Sequence, residues 1–172
     1  MDDIRIKIHN FIKPYEAEIL MRYWDKNQRL CTDFSPGHAE RSLHVVNISN
    51  TQIKEILKYI TSKGCFFVDH FFNTKCYPFQ DPILCRWKEG HHMSFHIDQK
   101  KDVSDGRKDL MNYSSILYLN DNYEGGELVF KDGERYKPQA LDFVMFDSGP
   151  KNEHSVDIIK SGFRYTIPLW YN

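Results

Sequence analysis

From Cys65 onward the sequence is a succession of short apolar runs separated by turn residues, and this pattern narrows the possible folds more than any other feature of the chain. The runs are Cys65 to Phe72, Ile83 to Trp87, Met93 to Asp98, Tyr113 to Leu119, Glu127 to Phe130, Ala140 to Phe146, Val156 to Ile159 and Phe163 to Trp170. No helical pattern separates them, so they read as eight strands of an antiparallel sandwich or jelly roll rather than as the alternating units of a parallel sheet. Before them, Ile4 to His9 alternates as a first short strand. Pro14, Glu16 and Glu18 then open a helix from about Tyr15 to Asp25, with Ile19, Leu20, Tyr23 and Trp24 as its core stripe. Residues 27 to 42, with Pro36-Gly37, read as a loop, and Leu43 to Ile48 as a strand. Asn50 or Thr51 caps a second helix through Ile60, ending near Gly64. The expected architecture is α+β, mainly β, in a single domain over residues 1–172: a helical support region, 1–64, bracing a jelly-roll core, 65–172.

Composition excludes some functions. The 23 basic and 24 acidic residues nearly cancel, so no broad positive field argues for nucleic acid. No CxxC pair, signal peptide or apolar stretch of membrane length is visible, and four scattered cysteines then read as reduced thiols of a cytoplasmic protein that does not enter a membrane. Oligomeric state is not legible.

The chemistry lies in Trp87-Lys88-Glu89-Gly90-His91-His92-Met93-Ser94-Phe95-His96-Ile97-Asp98. On a strand, side chains two apart share a face, so His96 and Asp98 enter one space with Cα atoms roughly 7 Å apart. His154 lies on a later strand, and Arg164 follows it at ten residues. Two histidines and one carboxylate leave half an octahedron open, a donor set that suits non-haem Fe(II) handling O2 and an organic cosubstrate. His91 and His92 are not needed by that set. The charged connection Gln99 to Asn112 leaves directly from it, and reads equally as a solvated loop and as a lid over substrate.

Three blocks carry a family resemblance. The first is Trp87 and Gly90 followed by His96-Ile97-Asp98; the second is Tyr118-Leu119-Asn120 followed by Gly125-Gly126 and Phe130; the third is His154 with Arg164 and Trp170. In this order they resemble the Fe(II)- and 2-oxoglutarate-dependent dioxygenases, in particular the prolyl 4-hydroxylase branch. The resemblance covers roughly residues 80 to 172 and implies a double-stranded β-helix. Departures occur at Arg164, Leu128 and Trp87, where collagen hydroxylases usually carry lysine, threonine and tyrosine; the first two are closer to the oxygen-sensing prolyl hydroxylases.

The resemblance implies that His96, Asp98 and His154 hold Fe(II) and form the catalytic centre, with 2-oxoglutarate and O2 as cosubstrates and ascorbate as a candidate auxiliary reductant. Arg164 would receive the far carboxylate of 2-oxoglutarate through its planar fork. Tyr118 and Thr166 would add hydroxyl donors, and Ile116, Leu128, Val156 and Trp170 would wall the pocket. Gly125 and Gly126 are read as backbone devices. The implied reaction hydroxylates prolyl residues of a peptide or protein while 2-oxoglutarate is converted to succinate and CO2. The alternatives are the same chemistry on a free amino acid, another side chain or a nucleobase, or a module that binds metal and 2-oxoglutarate without turnover.

Overall fold

The computed structural model describes residues 5–33, 41–44, 47–99 and 111–172. Strand β1 (Arg5–Ile8) leads into helix α1 (Pro14–Lys26), then β2 (Thr32–Asp33), β3 (Arg41–His44) and helix α2 (Thr51–Phe72). The remaining strands are β4 (Ile83–Trp87), β5 (Met93–His96), β6 (Tyr113–Tyr118), β7 (Glu124–Gly125), β8 (Leu128–Phe130), β9 (Arg135–Tyr136), β10 (Phe143–Asp147), β11 (His154–Val156), β12 (Ile159–Ser161) and β13 (Arg164–Tyr171). They form a large sheet in the order β1-β10-β6-β13-β4-β3-β2, a smaller sheet β5-β11-β8-β9 and the pair β12-β7. This is the expected mainly-β jelly roll with two helices ahead of it.

The large sheet has two differently employed faces. Leu84, Leu117, Leu119, Phe143, Met145, Ile167 and Leu169 pack with Leu20 and Trp24 of α1 and Ile53, Leu57, Ile60 and Val68 of α2. Their neighbours at the alternate parity face the smaller sheet: Ile83, Cys85 and Trp87 on β4 join Val156, while Tyr118, Val144 and Phe146 join Leu128 and Phe130. A sheet covered on both faces explains why β4 and β10 read as continuous apolar runs rather than alternating ones.

Cys65 to Phe72 corrects the sequence reading: it is the second half of α2, not a strand. The buried residues Ile53, Leu57, Ile60, Gly64 and Val68 keep one helical stripe across the supposed stop. Gly64 is a packing device, because a Cβ there would overlap Tyr171 Oη on β13. The helix ends instead at Asn73, in the left-handed conformation with φ 48°. Its start agrees with expectation, since the Asn50 side chain accepts from the Ile53 N–H. Smaller corrections concern Val156 to Ile159, which spans the end of β11 and the start of β12, and residues 27 to 42, which include β2 and the start of β3. The possible lid falls largely on residues 100–110, and Pro36-Gly37 on 34–40; both lie outside the described residues.

Candidate active site

His96 closes β5, Asp98 lies two residues beyond, and His154 opens β11 opposite His96 in register. One donor atom from each of the three lies within 4.8 Å of the others, and they are the one such cluster of potential metal ligands among the described residues. His96 Nε2 is 3.5 Å from one Asp98 carboxylate oxygen, and His154 Nε2 is 3.9 Å from the other. Each ring is oriented from behind. Nδ1 of His96 lies 2.9 Å from the Ser94 carbonyl and Nδ1 of His154 lies 2.8 Å from the Asn152 carbonyl. A carbonyl only accepts, so each Nδ1 carries the proton and each Nε2 turns a lone pair toward the shared space. The Ser114 hydroxyl donates to Asp98 at 2.7 Å and lies 2.6 Å from Ser148 Oγ, which fixes the carboxylate in turn.

The charges suit cation binding. Burial alone would raise the Asp98 carboxyl, but the contact with His96, the charge of His154 and the Ser114 hydroxyl outweigh it and push its pKa down to about 2. Burial lowers His154. For His96 burial also pulls downward, yet Asp98 and the Ser94 carbonyl win and the net shift is upward. Asp98 is therefore ionised at neutral pH, and His154 is neutral.

Behind this trio is a cavity of 420 Å³ between the two sheets. The three candidate ligands lie on its wall together with Arg164, Thr166, Ile116, Val156 and Trp170, as expected, whereas Tyr118 is not among the wall residues. Cys85, Trp87 and Met93 are further wall residues that sequence reasoning missed. Met93 enters because the register between β5 and β11 shifts between His154 and Val156, a bulge that breaks strict alternation and brings both Met93 and His96 to the inner face. Leu128 corrects the reading. It faces the same inter-sheet space but is fully buried among Tyr118, Phe130 and Tyr136, and does not line the cavity. His91 and His92 stay out of the cluster, with His92 exposed.

Arg164 is 1% exposed, and its guanidinium carbon lies 5.0 Å from the ring centres of both Trp87 and Tyr118. Asn120 holds this residue from both sides: its side chain accepts from the Tyr165 N–H at 2.8 Å and donates to the Phe163 carbonyl at 2.7 Å. Trp87 Nε1 donates to Thr166 Oγ1 at 3.3 Å, and Thr166 lines the cavity. Arg164 Nε, Tyr118 Oη and Tyr123 Oη are buried without a hydrogen-bond partner. Burial raises the Tyr118 phenol, with Arg164 opposing, so it remains a protonated donor. Unpaired buried donors around an arginine fit an anionic ligand, and the two-histidine, one-carboxylate set fits a divalent first-row metal.

A profile of the 2OG-Fe(II) oxygenase superfamily matches residues 83–172, just over half of the chain. The chain belongs to this superfamily. Its cofactors are accordingly Fe(II), 2-oxoglutarate and O2. Human prolyl 3-hydroxylase 2 is 35% identical over 65 residues, covering 34% of this chain and 9% of that protein. The collagen prolyl hydroxylase of Paramecium Bursaria Chlorella virus-1, solved as a 2OG complex, superposes with a TM-score of 0.79 at 20% identity, covering 99% of this chain and 96% of that one. A prolyl hydroxylase of Trichoplax adhaerens, solved with a hypoxia inducible factor peptide fragment, gives 0.76 at 18% identity, covering 99% and 84%. Within the oxygenase superfamily these neighbours share the double-stranded β-helix, and the profile begins at the first residue of β4, the strand that carries Cys85 and Trp87 to the cavity.

Proposed function

We propose that this oxygenase hydroxylates prolyl residues in a peptide or protein while converting 2-oxoglutarate to succinate and CO2. The observation that carries the reading is the pairing, across one cavity, of the His96, Asp98 and His154 trio with a buried Arg164 surrounded by donors that lack partners. Iron, when bound, supplies the redox chemistry with O2. The chain supplies everything else. His96 and His154 offer Nε2 lone pairs because the carbonyls of Ser94 and Asn152 hold their other ring protons. Ser114 keeps Asp98 facing the same point. Arg164 receives the far carboxylate of 2-oxoglutarate as a planar two-pronged donor, and Tyr118 and Thr166 add hydroxyls. Ile116, Val156 and Trp170 exclude water around the reacting end, which confines the oxidant to the bound substrate. Peptidyl proline as the substrate is supported by the prolyl hydroxylases among the relatives and by the neighbour solved with a peptide. Ascorbate as auxiliary reductant and a cytoplasmic setting belong to the same reading; the four cysteines, none of them in a disulfide, are in keeping with the setting.

Succinate formation from 2-oxoglutarate in air with Fe(II) and ascorbate, with and without proline-rich peptides, tests the reading. Peptide-stimulated succinate that disappears in His96→Ala, with one oxygen added to a proline, is the expected result. Succinate that no peptide stimulates would reject the prolyl substrate and retain the oxygenase.

A further inference from the structure

Tyr123 has no part in the chemistry so far, and it stands three residues beyond the Asn120 that clamps Arg164. It is 9% exposed, and its Oη is among the buried side-chain oxygens without a partner. Its ring packs with Cys85, Trp87 and Val156, all on the wall of the cavity. Two glycines admit it. At Gly126, with φ +66°, an added Cβ would come within 3.2 Å of Tyr123 Cε2 and 3.1 Å of Arg164 Cδ, so ring and arginine stem meet there. At Gly162, with φ +78°, an added Cβ would come within 3.1 Å of both Tyr123 Cα and Cβ. The ring and the Arg164 stem thus meet at Gly126, and the positive charge of Arg164 acts directly on the Tyr123 phenol.

A carboxylate has about four lone-pair sites, and the fork of one arginine fills about two of them. We infer that Tyr123 is a second phenol donor to the far carboxylate of 2-oxoglutarate, acting with Tyr118 and Arg164 to select a dicarboxylate cosubstrate. This rests on 2-oxoglutarate binding in the cavity as proposed above. The alternative role for the ring is packing alone, in which case its hydroxyl contributes nothing to ligand affinity.

The test is calorimetric titration of the full chain loaded with Zn(II), which binds without turnover, using 2-oxoglutarate and 2-oxobutanoate, which lacks the far carboxylate. Tyr123→Phe weakens 2-oxoglutarate by about tenfold and leaves 2-oxobutanoate unchanged, because one hydrogen bond to a charged group is lost. Equal 2-oxoglutarate affinity in variant and wild type, or equal losses for both acids, overturns the inference. Wild-type protein that does not bind 2-oxoglutarate overturns the cosubstrate reading beneath it. Should the variant fail to fold, 3-fluorotyrosine placed at position 123 of the otherwise wild-type chain gives a second measurement. Its fluorine resonance shifts with 2-oxoglutarate and not with 2-oxobutanoate, and the same response to both acids overturns the inference.

Discussion

The two faces of β13 carry different duties. Tyr165, Ile167, Leu169 and Tyr171 pack into the cluster that joins the large sheet to α1 and α2. One residue out of step, Arg164, Thr166, Pro168 and Trp170 line the cavity. The two hydroxyls that β13 sends to the helix side are paired, Tyr165 Oη donating to Asp25 at 2.6 Å and Tyr171 Oη meeting Ser115 Oγ at 3.2 Å, while Trp24 Nε1 in the same cluster is buried without a partner. On the other face Arg164 Nε is buried without a partner, and so are Tyr118 Oη and Tyr123 Oη, which act on Arg164 without lining the cavity themselves. The contrast is one of concentration: three unpaired polar groups cluster at Arg164 against one at Trp24, so most of the cost of leaving such groups unpaired falls on the residues held ready for a ligand.

This division makes the two faces separable by mutation. The largest effect belongs to the cavity: His154→Ala should reduce succinate formation by about a thousandfold or more, roughly 4 kcal/mol, while urea unfolding of the metal-free protein shows little change. A stability loss as large as the activity loss would dissolve the distinction. Next comes Ile167→Ala on the helix face. It should cost about 3 kcal/mol in urea unfolding and leave 2-oxoglutarate affinity of the folded protein unchanged. A changed ligand affinity would mean that the two faces are mechanically coupled.

A third effect is pH-dependent. Asp98 ionises with a pKa of about 2 in the fold against an ordinary value of 3.8, so its stabilisation is complete above about pH 4 and is lost as pH falls toward 2. The expected loss for the metal-free protein is about 2 kcal/mol, measured by unfolding along a pH series, and Asp98→Asn should flatten that part of the curve. An unchanged slope in the variant would remove Asp98 from the acid response. The smallest effect sharpens the comparison within the site. Ser114→Ala removes the hydroxyl that orients Asp98 and should weaken Zn(II) binding by about tenfold, read by competition with a chelating dye. Unaltered affinity would show that the backbone alone holds the carboxylate.

Much of the cavity was legible before the fold was known, because alternation along a strand is a local rule. His96 and Asp98 declared themselves by their spacing, and Arg164, Thr166 and Trp170 by shared parity along one run. The same parity also points to Ser114, two residues before Ile116 and four before Tyr118, although only the folded chain shows its hydroxyl on Asp98. Met93 was hidden by the bulge at β5, which spoils the alternation that would have revealed it. Leu128 lies on the correct side of its strand but too deep, since parity gives a direction and not a distance.

What the chain showed by itself was therefore most of the short strands and the order of the candidate trio with its arginine, the strands from local spacing and the roles from resemblance to a family. Tertiary structure decided whether Cys65 to Phe72 would be helix or strand. An apolar run of this length satisfies either period, and the stripe on α2 closed against Tyr171 settled the choice. It also decided that the Tyr123 hydroxyl would reach the surroundings of Arg164. That approach depends on Gly162 meeting the Tyr123 Cα and Cβ while Gly126 meets its ring edge, a coincidence of distant positions that no local pattern encodes.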